Sequence, residues 1–316
     1  MALKVVALAG GVGGAKLAHG LAAVPPPEDL TIIVNTADDF DHVGLRICPD
    51  LDTVIYTLAG VANRKAGWGR DRETWSFLEA TGELGGPTWF RLGDRDLALH
   101  VWRSQSLRWG IPLSAVTLDV CRALRVGPAV LPMTDDDVRT MVQTDQGEMA
   151  FQEYFVHRGC EPAVRGFRFF GADAARPGPG VLQAIEAAEL VIVCPSNPWV
   201  SIDPILAIPG VRQSVASRTA VAVSPLVGGK AIKGPAAKMA AELGIEPTPM
   251  SIAAHYRGVV EALVYDLADP DAKDPLAAEG VSSMRTGTVM RSDRDRRRLA
   301  EEVLSFGASL LGERTT

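Results

Sequence analysis

A chain of 316 residues, 47% hydrophobic and 22% charged, can bury a large core and has the make-up of an ordinary globular protein in water. Its net charge of −6 argues against nucleic acid as an obligatory partner, which needs a basic face, but leaves room for an anionic small substrate where a bound cation and a few Lys or Arg reverse the local field. No apolar run approaches a membrane span, Met1 to Ala9 is too short for a signal peptide, and Cys48, Cys121, Cys160 and Cys194 lie far apart without C-x-x-C spacing, so the expectation is core thiols in a reducing cytoplasm.

Lys4 to Leu8 is a predicted strand, followed by Gly10-Gly11-Val12-Gly13-Gly14-Ala15-Lys16 and a helical pattern from Leu17 to Val24. Strand, glycine turn and helix form the setting of a phosphate loop, where backbone N–H groups and the helix dipole meet an anion. Neither standard motif is met. Ala15 and Leu17 stand where a Walker A loop has Gly and a hydroxyl, and Lys16 stands where the dinucleotide fingerprint has a small residue. The reading is a non-standard nucleotide or diphosphate loop, with Gly11, Gly13, Gly14 and Lys16 on the phosphates; the plainer alternative is a tight turn without a ligand.

A β-branched run from Thr31 to Val34 predicts a second buried strand. Behind it Asp38, Asp39, Asp41, Asp50 and Asp52 gather within fifteen residues, at the carboxyl end of a strand, where open α/β sheets bind ligands. Such carboxylates suit a hard divalent cation that bridges to phosphate, and Asp38 and Asp50 are expected to hold Mg²⁺. A solvated acidic loop is the alternative. Asn63 to Arg70 is basic and aromatic, and from Glu73 to about Val126 the pattern is mostly helical, interrupted at Leu92-Gly93-Asp94-Arg95-Asp96. Residues 63–126 therefore read as a helical insertion or lid on a core formed by 1–62 and 127–316.

Ala129 to Met133 resumes strand character, and Asp135-Asp136-Asp137-Val138 predicts the start of a helix. Gly147 to Val156 and Ala163 to Phe170 suggest a strand pair. Leu190 to Cys194 is a strand of parallel-sheet type ending in Pro195-Ser196-Asn197-Pro198, a rigid loop offering a hydroxyl and an amide to a ligand. Thr219 to Val223 ends in Ser224 to Pro235, whose glycines and lysines, Lys230 and Lys233, suit phosphate or a nucleoside edge. Gly258 to Leu267 is the last predicted core strand, and Arg294 to Arg298 opens a C-terminal amphipathic helix as a solvated face. The fold class is α/β: a Rossmann-like, doubly wound, mainly parallel sheet in three layers. No Ser/His or Cys/His pair offers a nucleophile, and none of the five histidines marks a site, so the inventory suits displacement at phosphorus with a metal neutralising charge.

In order along the chain, the glycine turn, Asn35-Thr36-Ala37-Asp38-Asp39, Cys48-Pro49-Asp50-Leu51-Asp52-Thr53, Gly67-Trp68-Gly69, Leu92-Gly93-Asp94-Arg95-Asp96, Leu131-Pro132-Met133-Thr134-Asp135-Asp136, Pro195-Ser196-Asn197-Pro198 and Val223-Ser224-Pro225 resemble the CofD/FbiA family, the 2-phospho-L-lactate transferases of deazaflavin coenzyme F-420 biosynthesis. The resemblance implies a Mg²⁺-dependent transfer. The terminal ribityl hydroxyl of the deazaflavin Fo attacks the diphosphate of a guanosine-activated phospho-acid, GMP leaves, and a phosphodiester forms. It implies that Ser196 and Asn197 help hold the guanosine half, that Asp38 and Asp52 serve catalysis, with Asp52 orienting the ribityl hydroxyl or acting as its base, and that Arg91 contacts the deazaflavin. It also implies a homodimer. Whether the acid is phospholactate, phosphoenolpyruvate or phosphoglycerate stays open, and Gly287 departs from an Asp common in the family. A YvcK-like nucleotide-sugar-binding regulator is the alternative; the Pro-Asp-Leu-Asp and Leu-Gly-Asp-Arg-Asp pieces favour the transferase.

Overall fold

The computed structural model describes residues 3–232 and 234–314; Lys233, expected near phosphate, lies outside them. Seven strands form the central sheet: β1 (Val5–Ala9), β2 (Leu30–Val34), β3 (Ala129–Pro132), β4 (Leu190–Val193), β5 (Thr219–Val223), β6 (Ala262–Asp266) and β7 (Ser282–Thr286). Their spatial order is β7-β6-β5-β4-β1-β2-β3 and every pairing is parallel. The order reverses between β1 and β4. That is the topological switch point, where the loops after the two strands diverge and open a crevice.

The near-continuous apolar strands are explained by helices on both faces. Alternate side chains of β1 divide between two cores. Ala7 joins Ile32, Ile192, Leu17, Val54 and Val303 on one side, while Leu8 joins Ile33, Val193, Ile205 and Val215 on the other. Helices α1 (Gly11–Leu21), α2 (Pro49–Leu58), α3 (Asp94–Arg108), α4 (Leu113–Ala123) and α5 (Asp293–Arg314) order the first side. Each fully buried Val, Leu or Ile side chain contributes about 1.5–3 kcal/mol. The doubly wound α/β fold is therefore as expected, with differences in detail.

Residues 63–126 hold the helices Ser76–Glu83, α3 and α4, but α4 is no lid: its Leu113, Val116 and Val120 belong to the same core as β1 and β2. The Asp135 to Asp137 run does not start a helix. It leads into a strand, Arg139–Thr144, at the centre of a three-stranded antiparallel sheet with Gly147–Ala150 and Val164–Phe170. Buried Thr140 and Val142 alternate there with more open neighbours, a period of two, and the carboxylates are used instead to accept from Ser114, Arg176 and Arg139. β7 has no expected counterpart, because this edge strand is polar and only partly buried.

Candidate active site

At the switch point lies a cavity of about 1210 Å³. Its floor is the turn from β1 into α1. Gly10 N–H donates to Ser196 Oγ at 3.0 Å, which ties this turn to the loop after β4. Gly11 N–H donates to Asp50 Oδ1 at 2.7 Å, which ties it to the first turn of α2. Helix α1 has no side-chain cap, and Val12 and Gly13, whose N–H groups fall in its unsatisfied first turn, line the cavity. A helix start of this kind can receive an anion.

The glycines divide their tasks. Gly11 has φ +60° and open space where a Cβ would stand. A Cβ on Gly13 would strike the Pro195 carbonyl oxygen, and one on Gly14 would strike Ser196 Oγ. Gly13 still reaches the cavity wall, while Gly14 is buried and is not among the lining residues; both are required first for the approach of α1 to the β4 loop. Lys16 lines the cavity, and its Nζ donates to the Met290 carbonyl in the segment after β7. Ser196 is buried under the turn, and Asn197 Oδ1 accepts from Trp199 N–H, capping the π-helical turn Pro198–Ile202, so both side chains hold the wall together where they meet the cavity.

Asp38 and Asp50 sit together on the wall, both buried. Asn35 Nδ2 donates to Asp50 Oδ2 at 3.0 Å. Burial, and with it the charge of Asp50, pushes the Asp38 carboxyl well above the ordinary range, against a hydrogen bond from Asn35. Burial likewise raises Asp50 to about 6, although Asn35 and Gly11 hold it down. Asp38 Oδ1 is buried without a hydrogen-bond partner among the described residues. Two adjacent buried carboxylates, one with an orphaned oxygen, form an oxygen donor set that fits a hard divalent cation. Asp39 lies behind this wall; burial raises it to about 8.

Asp52 does not cap α2, because the capping position is Cys48. Arg103 Nη1 donates to Asp52 Oδ2 at 3.0 Å and its Nη2 donates to Oδ1, a two-pronged buried ion pair. His100 lies between Asp52 and Asp96, with Nε2 at 3.3 Å from Asp96 Oδ1, and the Tyr56 hydroxyl donates to the same oxygen at 2.7 Å. Both carboxylate oxygens of Asp52 thus face the Arg103 guanidinium, and the expected base is tied into a buried ion pair. Asp52 also lines the cavity. Sequence reasoning missed Arg103 and His100, yet Asp96, His100 and Arg103 recur at i, i+4 and i+7, one face of α3.

The opposite wall is aromatic. Trp89, Phe90, Phe151 and Phe155 line it, and Trp89 stacks on His157 with ring centres 5.1 Å apart. Arg91 also lines the cavity, its guanidinium 4.3 Å from the centre of the Trp75 ring.

Fold and crevice define a doubly wound α/β protein whose switch-point cavity brings together an uncapped helix start, a carboxylate cluster and aromatic side chains. The family described as "2-phospho-L-lactate transferase CofD" matches residues 5–301, and the chain belongs to that family. It is 42% identical to a phosphoenolpyruvate transferase of Streptomyces coelicolor over 96% of this chain and 98% of that protein. It is 39% identical to a 2-phospho-L-lactate transferase of Methanopyrus kandleri over 99% of this chain and 100% of that one. In fold it is similar to a crystal structure of a UPF0052-family protein from Bacillus halodurans, with a TM-score of 0.63, 16% identity, and coverage of 96% of this chain and 99% of that one.

Proposed function

We propose that the protein transfers a three-carbon phospho-acid from a guanosine-diphosphoryl donor to the terminal ribityl hydroxyl of the deazaflavin Fo, releasing GMP. The hydroxyl oxygen bonds to the phosphorus of the phospho-acid, the bridging P–O bond to GMP breaks, and the hydroxyl proton is taken up at the wall. The observation that carries this reading is the junction of the α1 helix start with the Asp38–Asp50 pair, in a family whose relatives are named as transferases of this kind. The regulator alternative has no comparable support.

The N–H groups opening α1 and the side chain of Lys16 meet the donor's phosphates, and the loop Pro195 to Asn197 flanks the guanosine half. Asp38 and Asp50 would hold Mg²⁺, which would neutralise phosphate charge as it develops. Asp38, one carboxylate oxygen of which has no partner among the described residues, receives the hydroxyl proton in its ionised form. Asp52, fixed by Arg103, orients the ribityl chain, and the aromatic wall with Arg91 receives the ring. In-line displacement depends on orientation above all, which is what these fixed groups provide.

The exposed Trp102, Trp109 and Leu118 of α3, α4 and their connection suit a homodimer face. The free cysteines and the lack, among the described residues, of a helix long and apolar enough to cross a membrane suit the cytoplasm. Mixing the purified protein with Fo, Mg²⁺ and guanosine-diphosphoryl phosphoenolpyruvate, phospholactate or phosphoglycerate, and following GMP release and product mass, tests the reaction and identifies the acid. No GMP from any donor would overturn the proposal.

A further inference from the structure

Gln152 is 5% exposed, lines the cavity, and is touched by no hydrogen bond at its carboxamide from any described residue. The carboxamide meets the cavity rather than the packed interior, so a ligand there can take the place of the water it would otherwise bond. Several other polar residues that line the cavity are engaged: Ser196 with Gly10, Asn197 with Trp199, Asp50 with Gly11 and Asn35, Asp52 with Arg103. Gln152 alone among these offers a donor and an acceptor side by side to the cavity.

Its surroundings define what it can read. Phe151 and Phe155 flank it in sequence and stack with ring centres 5.4 Å apart and planes 4° from parallel. Phe155 is 37% exposed and lines the cavity, so it offers a ring to a ligand. Through the Trp89–His157 stack this segment is tied to the Trp89 to Arg91 wall. An aromatic wall takes a planar ring, and a carboxamide at its edge pairs best with an adjacent N–H and C=O in that ring's plane.

We propose that Gln152 is a specificity-determining residue that reads the lactam edge of a planar heterocycle, donating Nε2–H to its carbonyl and accepting its ring N–H at Oε1. The assignment rests on the transferase reading, under which two ligands carry such an edge: the pyrimidinedione of the deazaflavin and the guanine of the donor. The shared wall with Arg91 favours the deazaflavin.

Gln152→Leu keeps the side chain's bulk and breaks no hydrogen bond within the protein, so the variant should melt no lower than wild type. Binding of Fo, by its fluorescence, and of GMP, by calorimetry, is measured separately on both proteins. One ligand should bind about tenfold or more weakly to the variant and the other within about twofold; the ligand that loses affinity names the ring. Methylating that ligand's lactam nitrogen should weaken its binding to wild type and change little in the variant. Equal affinities for both ligands in the two proteins would overturn the proposal alone, as would a general loss of affinity accompanied by a lower melting temperature. Wild type that binds neither ligand would overturn the transferase reading and the proposal with it.

Discussion

Asp50 accepts the Gly11 N–H at one carboxylate oxygen and the Asn35 side-chain amide at the other, at 2.7 and 3.0 Å. One side chain thus joins the first turn of α2 to the glycine turn after β1 and to the end of β2. These bonds orient Asp50 but bring it no positive side chain, and Asp38 beside it is driven toward its protonated form by burial and by the charge of Asp50. Neither of these two bonds supplies the pair with positive charge.

Asp38→Asn should therefore separate activity from stability. The amide removes a carboxyl that burial disfavours in its charged form, so at pH 8 without added metal the variant should melt at or above the wild-type temperature. It should lose Mg²⁺-dependent turnover, and Mg²⁺, which should raise the wild-type melting temperature, should not raise the variant's. Normal turnover of Asp38→Asn at limiting Mg²⁺ would remove Asp38 from the metal site.

Gly11→Ala and Gly13→Ala should differ in kind. At Gly13 the new methyl meets the Pro195 carbonyl, so backbone must move, at a cost of about 1–3 kcal/mol. At Gly11 space is open and the cost is the positive φ, about 1–2 kcal/mol, while the methyl stands on the cavity floor. Donor binding should fall in Gly11→Ala out of proportion to any change in melting, and fall in Gly13→Ala together with stability. Calorimetric titration of donor alongside thermal melts checks both. Gly13→Val, a natural choice from sequence, would confuse the two effects.

The buried strands β1, β2, β4 and β5 are continuous apolar runs followed by loops rich in Gly, Asp, Pro and Ser, and such a pattern is legible without coordinates. The strand Arg139–Thr144 was hidden because three aspartates before it imitate a helix start. The site's first layer was legible as a set of residue types placed after strands. Its pairings were not. Whether Asp52 faces a ligand or a guanidinium depends on α3, more than forty residues away in sequence, whose buried face is polar and so gives no hydrophobic stripe to read. Gln152 carried no signal, because an isolated Gln next to a strand is ordinary until its carboxamide is seen to meet the cavity without a partner among the described residues.

The Asp52–Arg103 pair yields a prediction on stability. Arg103→Met leaves a buried carboxylate uncompensated and should cost about 3–5 kcal/mol, whereas Asp52→Leu/Arg103→Met removes both charges and should recover much of that loss. Denaturant melts of the two singles and the double measure the coupling. If the double variant regains stability but not Fo affinity, Asp52 orients the acceptor; if it regains both, the pair is structural only.

The pH dependence of stability follows from Asp39 and Asp50. Both have folded pKa values raised by burial, to about 8 and about 6, above an unfolded value near 3.8. Between the unfolded and folded values the folded state holds protons that the unfolded state has lost, so stability falls as pH rises. The contribution is fully present below about pH 4. It declines through pH 6 for Asp50 and through pH 8 for Asp39. Melting temperature without metal should therefore drop steadily from pH 5 to pH 8.5. Mg²⁺ binding at Asp38 and Asp50 should flatten the part near pH 6, because the cation favours the ionised form. The part near pH 8 should persist with Mg²⁺ present, since Asp39 is not on the cavity wall, and should vanish in Asp39→Asn. Melts of wild type and Asp39→Asn across this range, with and without Mg²⁺, resolve the two carboxyls. A wild-type profile that rises with pH would show that Asp39 and Asp50 are already charged in the folded protein and would overturn the prediction.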